Sequence, residues 1–185
     1  MSSDERTLAE RCRCGDDAAR KELYDLYAGR LLAVCLRYAG DRVSAEDLLH
    51  DTYLKIFGAV GRFEWRGPGS LRAWMERIAV NVSLEWLRSR KRSGTMPLDE
   101  SRLHDVAEPS AEEVAAVPRE TLLRMVAELP DGYRTVFNLY CIEGYGHREI
   151  AGMLGINEKS SSSQLFRARA MLARRIGAYL KSKEE

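Results

Sequence analysis

"HREIAGMLGINEKSSSSQLFRARAML", from His147 to Leu172, decides how this chain folds. Its four consecutive serines look like a tether, yet the residues on either side keep one helical phase. At about 100° per residue, Ser161, Leu165, Ala168, Leu172 and Ile176 fall in a single stripe. Before them, the residues up to Leu154 form a shorter helix, and Gly155 supplies a tight turn. Ile156 fills the space between the helices, and Asn157 is placed to cap the second one. This is the layout of a helix-turn-helix.

The other side of that second helix presents Lys159, Ser160, Ser163, Phe166, Arg167, Ala170 and Arg174, with Ser162 on the flank. Serine costs about 0.5 kcal/mol per helical position relative to alanine, so the first turn needs tertiary contacts or a ligand. Small hydroxyl side chains let a helix N-terminus come close to a nucleic-acid groove, where the helix dipole favours phosphate. Arg167 suits phosphate or guanine. The serines read as the front of a recognition helix.

Upstream the pattern stays helical. Leu23, Leu26, Tyr27, Leu31, Val34, Leu36 and Tyr38 recur at mostly helical spacing, with a break near Gly15 and an end at Gly40. "SAEDLLHDTYLKIF" opens with a capping-box pattern, Ser44 and Asp47. Its apolar stripe is Leu48, Leu49, Tyr53, Ile56 and Phe57, with Asp47, His50, Asp51 and Lys55 on the other side and Gly58 and Gly61 closing it. "RFEWRGPGS" is a loop by its Gly-Pro-Gly content. A long helix follows from about Leu71 to Arg92, on which Trp74, Arg77, Asn81 and Arg88 share a stripe above the basic end Arg88, Arg90, Lys91 and Arg92. Residues 93 to 118 are mainly acidic, hold three prolines and read as a linker, with a short helix near Ala111 to Ala116. Helices over "ETLLRMVAEL" and "LPDGYRTVFNLYCIEGY" then lead into the helix-turn-helix. The expected fold is all-α: two small helical domains, 1–95 and 119–185, joined by an acidic linker over 96–118.

Composition permits several partners. The net charge of +1 announces no global basicity, but opposite local charges hide in that average. Cys12, Cys14, Cys35 and Cys141 lack zinc-finger spacing and read as free thiols of a reducing compartment. No metal or other cofactor is expected. The N-terminus lacks a signal-peptide pattern, and no run approaches the roughly 18 apolar residues of a membrane helix. A cytoplasmic protein with no membrane insertion is expected.

Three stretches carry a resemblance: "AEDLLHDTYLKIF", "GSLRAWMERIAVNVSLEWLRSRKR" and "LPDGYRTVFNLYCIEGYGHREIAGMLGI…SSQLFRARAML". In this order and spacing, the chain resembles bacterial RNA polymerase sigma factors of the extracytoplasmic-function (ECF) group, across nearly its full length. The resemblance implies a two-domain factor that binds core RNA polymerase, recognises minus-35 and minus-10 promoter elements and promotes melting. Its nucleic-acid partners would be promoter duplex and the melted non-template strand. The resemblance also implies an anti-sigma factor as a partner.

The resemblance also implies site residues. Asp47, His50, Asp51 and Lys55 lie where the family docks on the polymerase clamp; by spacing alone they suit a solvated polar face equally. Arg66, Ser70, Trp74, Arg77, Asn81, Arg88, Lys91 and Arg92 fall on the loop and helix that take the minus-10 element, although a core role suits Trp74 as well. Lys159, Ser160, Ser162, Ser163, Phe166 and Arg167 fall on the minus-35 helix. Gly146 stands where a Ser or Thr cap is usual, Lys159 where Gly is, and Ser162 where a basic residue is.

Two other functions are open to test. A stand-alone helix-turn-helix regulator accounts for residues 119–185 and leaves the N-terminal half without a role. An enzyme using Asp47 and Asp51 has no His or Lys partner at metal-site spacing to complete a constellation, and no phosphate-cradling glycine loop, so no enzymatic activity is expected.

Overall fold

A computed structural model describes residues 4–91 and 108–184. Every regular element among the described residues is helical. The chain divides into two units, 1–92 and 93–185.

In the first unit, α1 (Glu5–Arg13), α2 (Asp17–Ala39), α3 (Arg42–Ala59) and α4 (Ser70–Lys91) share one core. The break at Gly15 is a left-handed residue (φ 83°), which costs glycine little. Asp16 then caps α2, accepting hydrogen bonds from Ala18 N (2.9 Å) and Ala19 N (3.1 Å). Gly40 (φ 84°) ends α2 in a left-handed cap. Leu23, Leu31, Val34, Cys35 and Tyr38 face Leu48, Ile56, Leu71, Met75 and Leu84 in the buried interior. Leu26 and Leu36, which share the apolar spacing of α2, lie instead at the surface.

Two boundaries of α3 differ from expectation. The helix starts before Ser44: Asp41 is its cap and accepts from Ser44 N at 2.9 Å, so the Ser44–Asp47 capping box does not form. An Asp three residues upstream outcompetes Ser44 for the same role. Gly58 does not stop the helix, which continues to Ala59 and tightens into a 3₁₀ turn over Val60–Arg62.

In the second unit, α5 (Ala111–Ala115), α6 (Arg119–Ala127), α7 (Asp131–Phe137), α8 (His147–Leu154) and α9 (Glu158–Glu184) assemble on the long α9. Ser110 and Glu113 form a reciprocal capping box that nucleates α5. Val114 and Val117 then pack with Met125, Ile176, Leu172, Tyr179 and Leu180. The distal end of the segment read as a linker is therefore folded onto α9. Arg134, only 4% exposed, holds the α6–α7 corner by donating to the carbonyls of Ala127 (2.8 Å) and Leu129 (2.7 Å). After α7 the chain widens into a π-turn over Asn138–Ile142, where Glu143 N reaches back to Asn138 O.

Candidate nucleic-acid interface

The helix-turn-helix is built as its residues dictate. Gly155 adopts the left-handed conformation (φ 65°, ψ 36°) that ends α8. Asn157 Oδ1 accepts from Ser160 N at 2.7 Å and starts α9. At the head of α8, Gly146 has no side chain to cap with, and Glu149 supplies half of a capping box by accepting from Gly146 N at 2.9 Å.

Of the four serines, Ser161 is fully buried, and its hydroxyl is paired with His147 Nδ1 at 2.9 Å. Tyr140, carried by the π-turn, stacks on the His147 ring with centroids 4.6 Å apart. Thus one serine locks the first turn of α9 to α8 while its neighbours face outward. Lys159, Ser160, Ser163 and Arg167 line a concavity of about 360 Å³ with Asn157 and Gln164. Ser162 and Phe166 are exposed outside it, Phe166 by 51%. Gln164 escaped the sequence reading. Its signal is Gly132, where an added Cβ would stand 2.9 Å from Gln164 Oε1, so α9 passes close to the start of α7 here. Ala170, expected on the open face, is buried at 6%. An alanine on a helix says little about which way it faces, because its methyl is short enough to be covered by neighbours.

The second cluster lies in the first unit. After the 3₁₀ turn, Gly67 (φ 115°) and Gly69 (φ 83°) fold the chain back into α4. Ser70 Oγ accepts from Arg66 N at 3.3 Å. An open cleft of about 440 Å³ results, lined by Arg62, Phe63, Glu64, Arg66, Ser70, Ala73, Trp74 and Arg77. Trp74 is half-buried and tilts against Phe63 (centroids 5.2 Å apart), so it belongs to the packing and to the cleft wall at once. The structure brings Arg66, Ser70, Trp74 and Arg77 together here. Asn81 and Arg88 are exposed farther along α4. Lys91 is its last residue, and Arg92 lies outside the described residues. Arg62, Phe63 and Glu64 sit too close to a turn for periodicity to find them.

On α3, Asp47, His50 and Asp51 are exposed along one face. Leu54, 61% exposed, continues that face one turn on and was not singled out in the sequence. Lys55 is engaged differently: its ammonium pairs with Glu85 of α4. Among the described residues no group of three or more His, Cys, Asp or Glu side chains is placed to hold a metal ion.

These two surfaces coincide with two family models. Sigma-70 region 2 matches residues 23–93, and Sigma-70, region 4 matches residues 119–172. The ECF RNA polymerase sigma factor SigM of Mycobacterium tuberculosis is 30% identical over 163 residues, covering 88% of this chain and 80% of that protein. The chain belongs to the ECF sigma factors. SigM of Bacillus subtilis is 27% identical, over 82% of this chain and 91% of that one. Among solved structures, that of CnrH in complex with the cytosolic domain of CnrY is 23% identical, covers 94% of this chain and 97% of that one, and has a TM-score of 0.49.

As a sigma factor the protein acts in transcription initiation with RNA polymerase. A stand-alone regulator is not favoured, because the region 2 match gives the N-terminal unit its own place in the same machinery.

Proposed function

We propose that the two clefts are the promoter-reading surfaces of this sigma factor. Residues 1–95 carry polymerase and minus-10 binding, 96–118 connect, and 119–185 carry minus-35 binding. The observation that carries the proposal is the cleft beside Trp74. It is open, walled by an aromatic ring, and flanked by Arg66 and Arg77, as a site for an extruded base next to its phosphates should be. Extrusion costs a few kcal/mol, which stacking at about 1–3 kcal/mol per base and phosphate contacts can offset. Asn81, Arg88, Lys91 and Arg92 extend this surface along α4.

In the second unit, Lys159, Ser160, Ser162, Ser163, Phe166 and Arg167 face the minus-35 duplex. Arg167 and Lys159 supply charge, the serine hydroxyls supply donors and acceptors, and Phe166 supplies an apolar contact such as a thymine methyl accepts. Asp47, His50 and Asp51, joined by Leu54, form the face that docks on core polymerase. Lys55 borders that face while tying α3 to α4 through Glu85. A protein anti-sigma factor that covers these surfaces would compete with polymerase for them. Sigma factors are initiation factors without catalytic activity, so the exposed pair Asp47 and Asp51 is assigned to docking. No described helix is long and apolar enough to cross a membrane, and we place the protein in the cytoplasm with the polymerase it serves.

Run-off transcription with purified core polymerase on genomic fragments tests the proposal. Transcripts that share upstream minus-35 and minus-10 motifs and require this protein are expected. Their loss on Trp74→Ala with polymerase binding retained would support the cleft, and an unchanged transcript profile would refute it.

A further inference from the structure

We propose that α1 is a positioning clamp for the base-capturing loop, with Arg13 holding the loop's entrance and Glu5 its exit. The inference rests on the assignment of the cleft beside Trp74 to the minus-10 element.

The loop runs from Phe63 to Gly69, between the 3₁₀ turn and α4. At its entrance, Arg13 Nη2 donates to Phe63 O at 2.7 Å. At its exit, Glu5 Oε2 accepts from Gly69 N at 2.7 Å. These partners are 50 and 64 residues apart in sequence, yet both anchors sit on one nine-residue helix, near its two ends. Between them the loop is held only lightly. Ser70 N turns back to Gly67 O at 3.1 Å, Arg66 N reaches Ser70 Oγ at 3.3 Å, and Arg66 pairs with Glu64 at 3.3 Å, with the last pair fully at the surface. Two left-handed glycines, Gly67 and Gly69, give the backbone freedom that these weak contacts do not remove.

The clamp itself is fixed. Leu8, Ala9 and Cys12 bury one face of α1, and Arg11 bridges to Asp16 at 2.8 Å and to Glu22 at 2.9 Å on α2. Glu5 is also held from behind, since Tyr27 of α2 donates to its Oε1 at 2.9 Å. The anchored atoms bear directly on the cleft. Phe63 tilts against Trp74, and Gly69 precedes the first residue of α4, so the anchors set both the aromatic wall and the angle at which Ser70 and Arg66 enter. A carboxylate at that point also complements the positive end of the α4 dipole. A rigid pocket spends less binding free energy on ordering itself when a base arrives. Glu5 and Arg13 are therefore positioning residues: they touch no base and act through the loop.

The test uses Glu5→Ala, Glu5→Gln and Arg13→Ala in the full chain, assembled with core polymerase. Hydrogen exchange of peptides covering 63–70 reads the clamp without DNA. Promoter opening, followed with a fluorescent base analogue at the minus-10 element, reads its consequence, together with preference among the four bases at the extruded position. Expected are faster exchange in the loop, about tenfold slower opening (about 1.4 kcal/mol) and a flattened base preference for both alanine variants. Glu5→Gln, which keeps an oxygen acceptor, should stay near the parent, and polymerase affinity and the melting temperature should not move. Arg13→Ala stands alone should Glu5→Ala fail to fold. Unchanged loop exchange in the alanine variants overturns the clamp. Faster exchange with unchanged opening and base preference, while Trp74→Ala is impaired, overturns its functional role alone. If Trp74→Ala is also indistinguishable from the parent, the cleft assignment has failed and the inference falls with it.

Discussion

The contact between His147 and Ser161 should couple the two helices of the DNA-binding motif in a measurable, non-additive way. Ser161→Ala removes one hydrogen bond, worth about 1 kcal/mol, and leaves a half-buried imidazole that water can reach. His147→Ala costs more. It removes the same bond, strips about 0.5–1.5 kcal/mol of stacking from Tyr140, and strands a hydroxyl in a site with no solvent exposure. About 2 kcal/mol in total is expected. In the double variant the stranded hydroxyl is gone, so the combined cost should fall below that of His147→Ala alone, by roughly 1 kcal/mol. Native-state hydrogen exchange of peptides over 158–165 suits the measurement, with openings enhanced roughly fivefold in Ser161→Ala and roughly thirtyfold in His147→Ala. Trp65, Trp74 and Trp86 all lie in the first unit, so tryptophan fluorescence provides an internal control whose unfolding midpoint should not change. A double variant as exposed as the sum of the two singles would refute the reasoning. It would show that the Ser161 hydroxyl falls back on the carbonyl of Asn157, four residues earlier, at no cost.

Arg167→Ala should weaken minus-35 duplex binding by the polymerase complex by about 1–3 kcal/mol; an unchanged promoter profile would remove Arg167 from the reading surface. Asn81→Ala should leave polymerase binding intact and slow promoter opening in stopped-flow fluorescence, whereas loss of polymerase binding would make Asn81 structural. Burial pushes the Cys35 thiol up to about 11, while an unfolded thiol ionises near 8.5. The unfolded chain then holds fewer protons between those values, so stability should fall by up to about 3 kcal/mol as pH rises from about 8.5 to 11. Urea unfolding read by tryptophan fluorescence should show a shallower alkaline decline in Cys35→Ala, with Tyr27, raised from 10.0 to about 12, adding its own share between those values. At neutral pH the same burial should leave Cys35 unmodified by an alkylating reagent that labels the exposed Cys14 and Cys141, a pattern that mass spectrometry reads directly.

What the sequence made legible, and what it hid, follows from the range of the forces involved. Periodicity found the α8–α9 motif because Leu165, Ala168 and Ile176 repeat at helical spacing, and a local rule placed Asn157 as the cap. It put Ser161 on the buried side without saying what would satisfy a buried hydroxyl. That partner is His147, fourteen residues away across a turn. The start of α3 went astray where two local signals competed, and Asp41 won over Ser44. The cleft proposed for the minus-10 element was half legible. Trp74 and Arg77 lie on a helix face that spacing reveals and Ser70 came from the resemblance, but Arg62, Phe63 and Glu64 join them only once the glycine turn has folded back.

The anchors on α1 were not legible at all. A carboxylate at Glu5 and an amide at Gly69 meet only because the core of α1 against α2 has already fixed both ends of a path 64 residues long. Pairing of that kind depends on tertiary geometry, and no periodicity within either segment encodes it. This ordering also bears on function. Most of the residues we propose to read promoter DNA sit on α4 and α9, where their spacing exposes them. The residues we propose to hold the base-capturing loop in shape lie far from it in sequence, each legible only from its partner. On our proposal, precision at the cleft depends on Glu5 and Arg13, which no comparison of helix faces would single out.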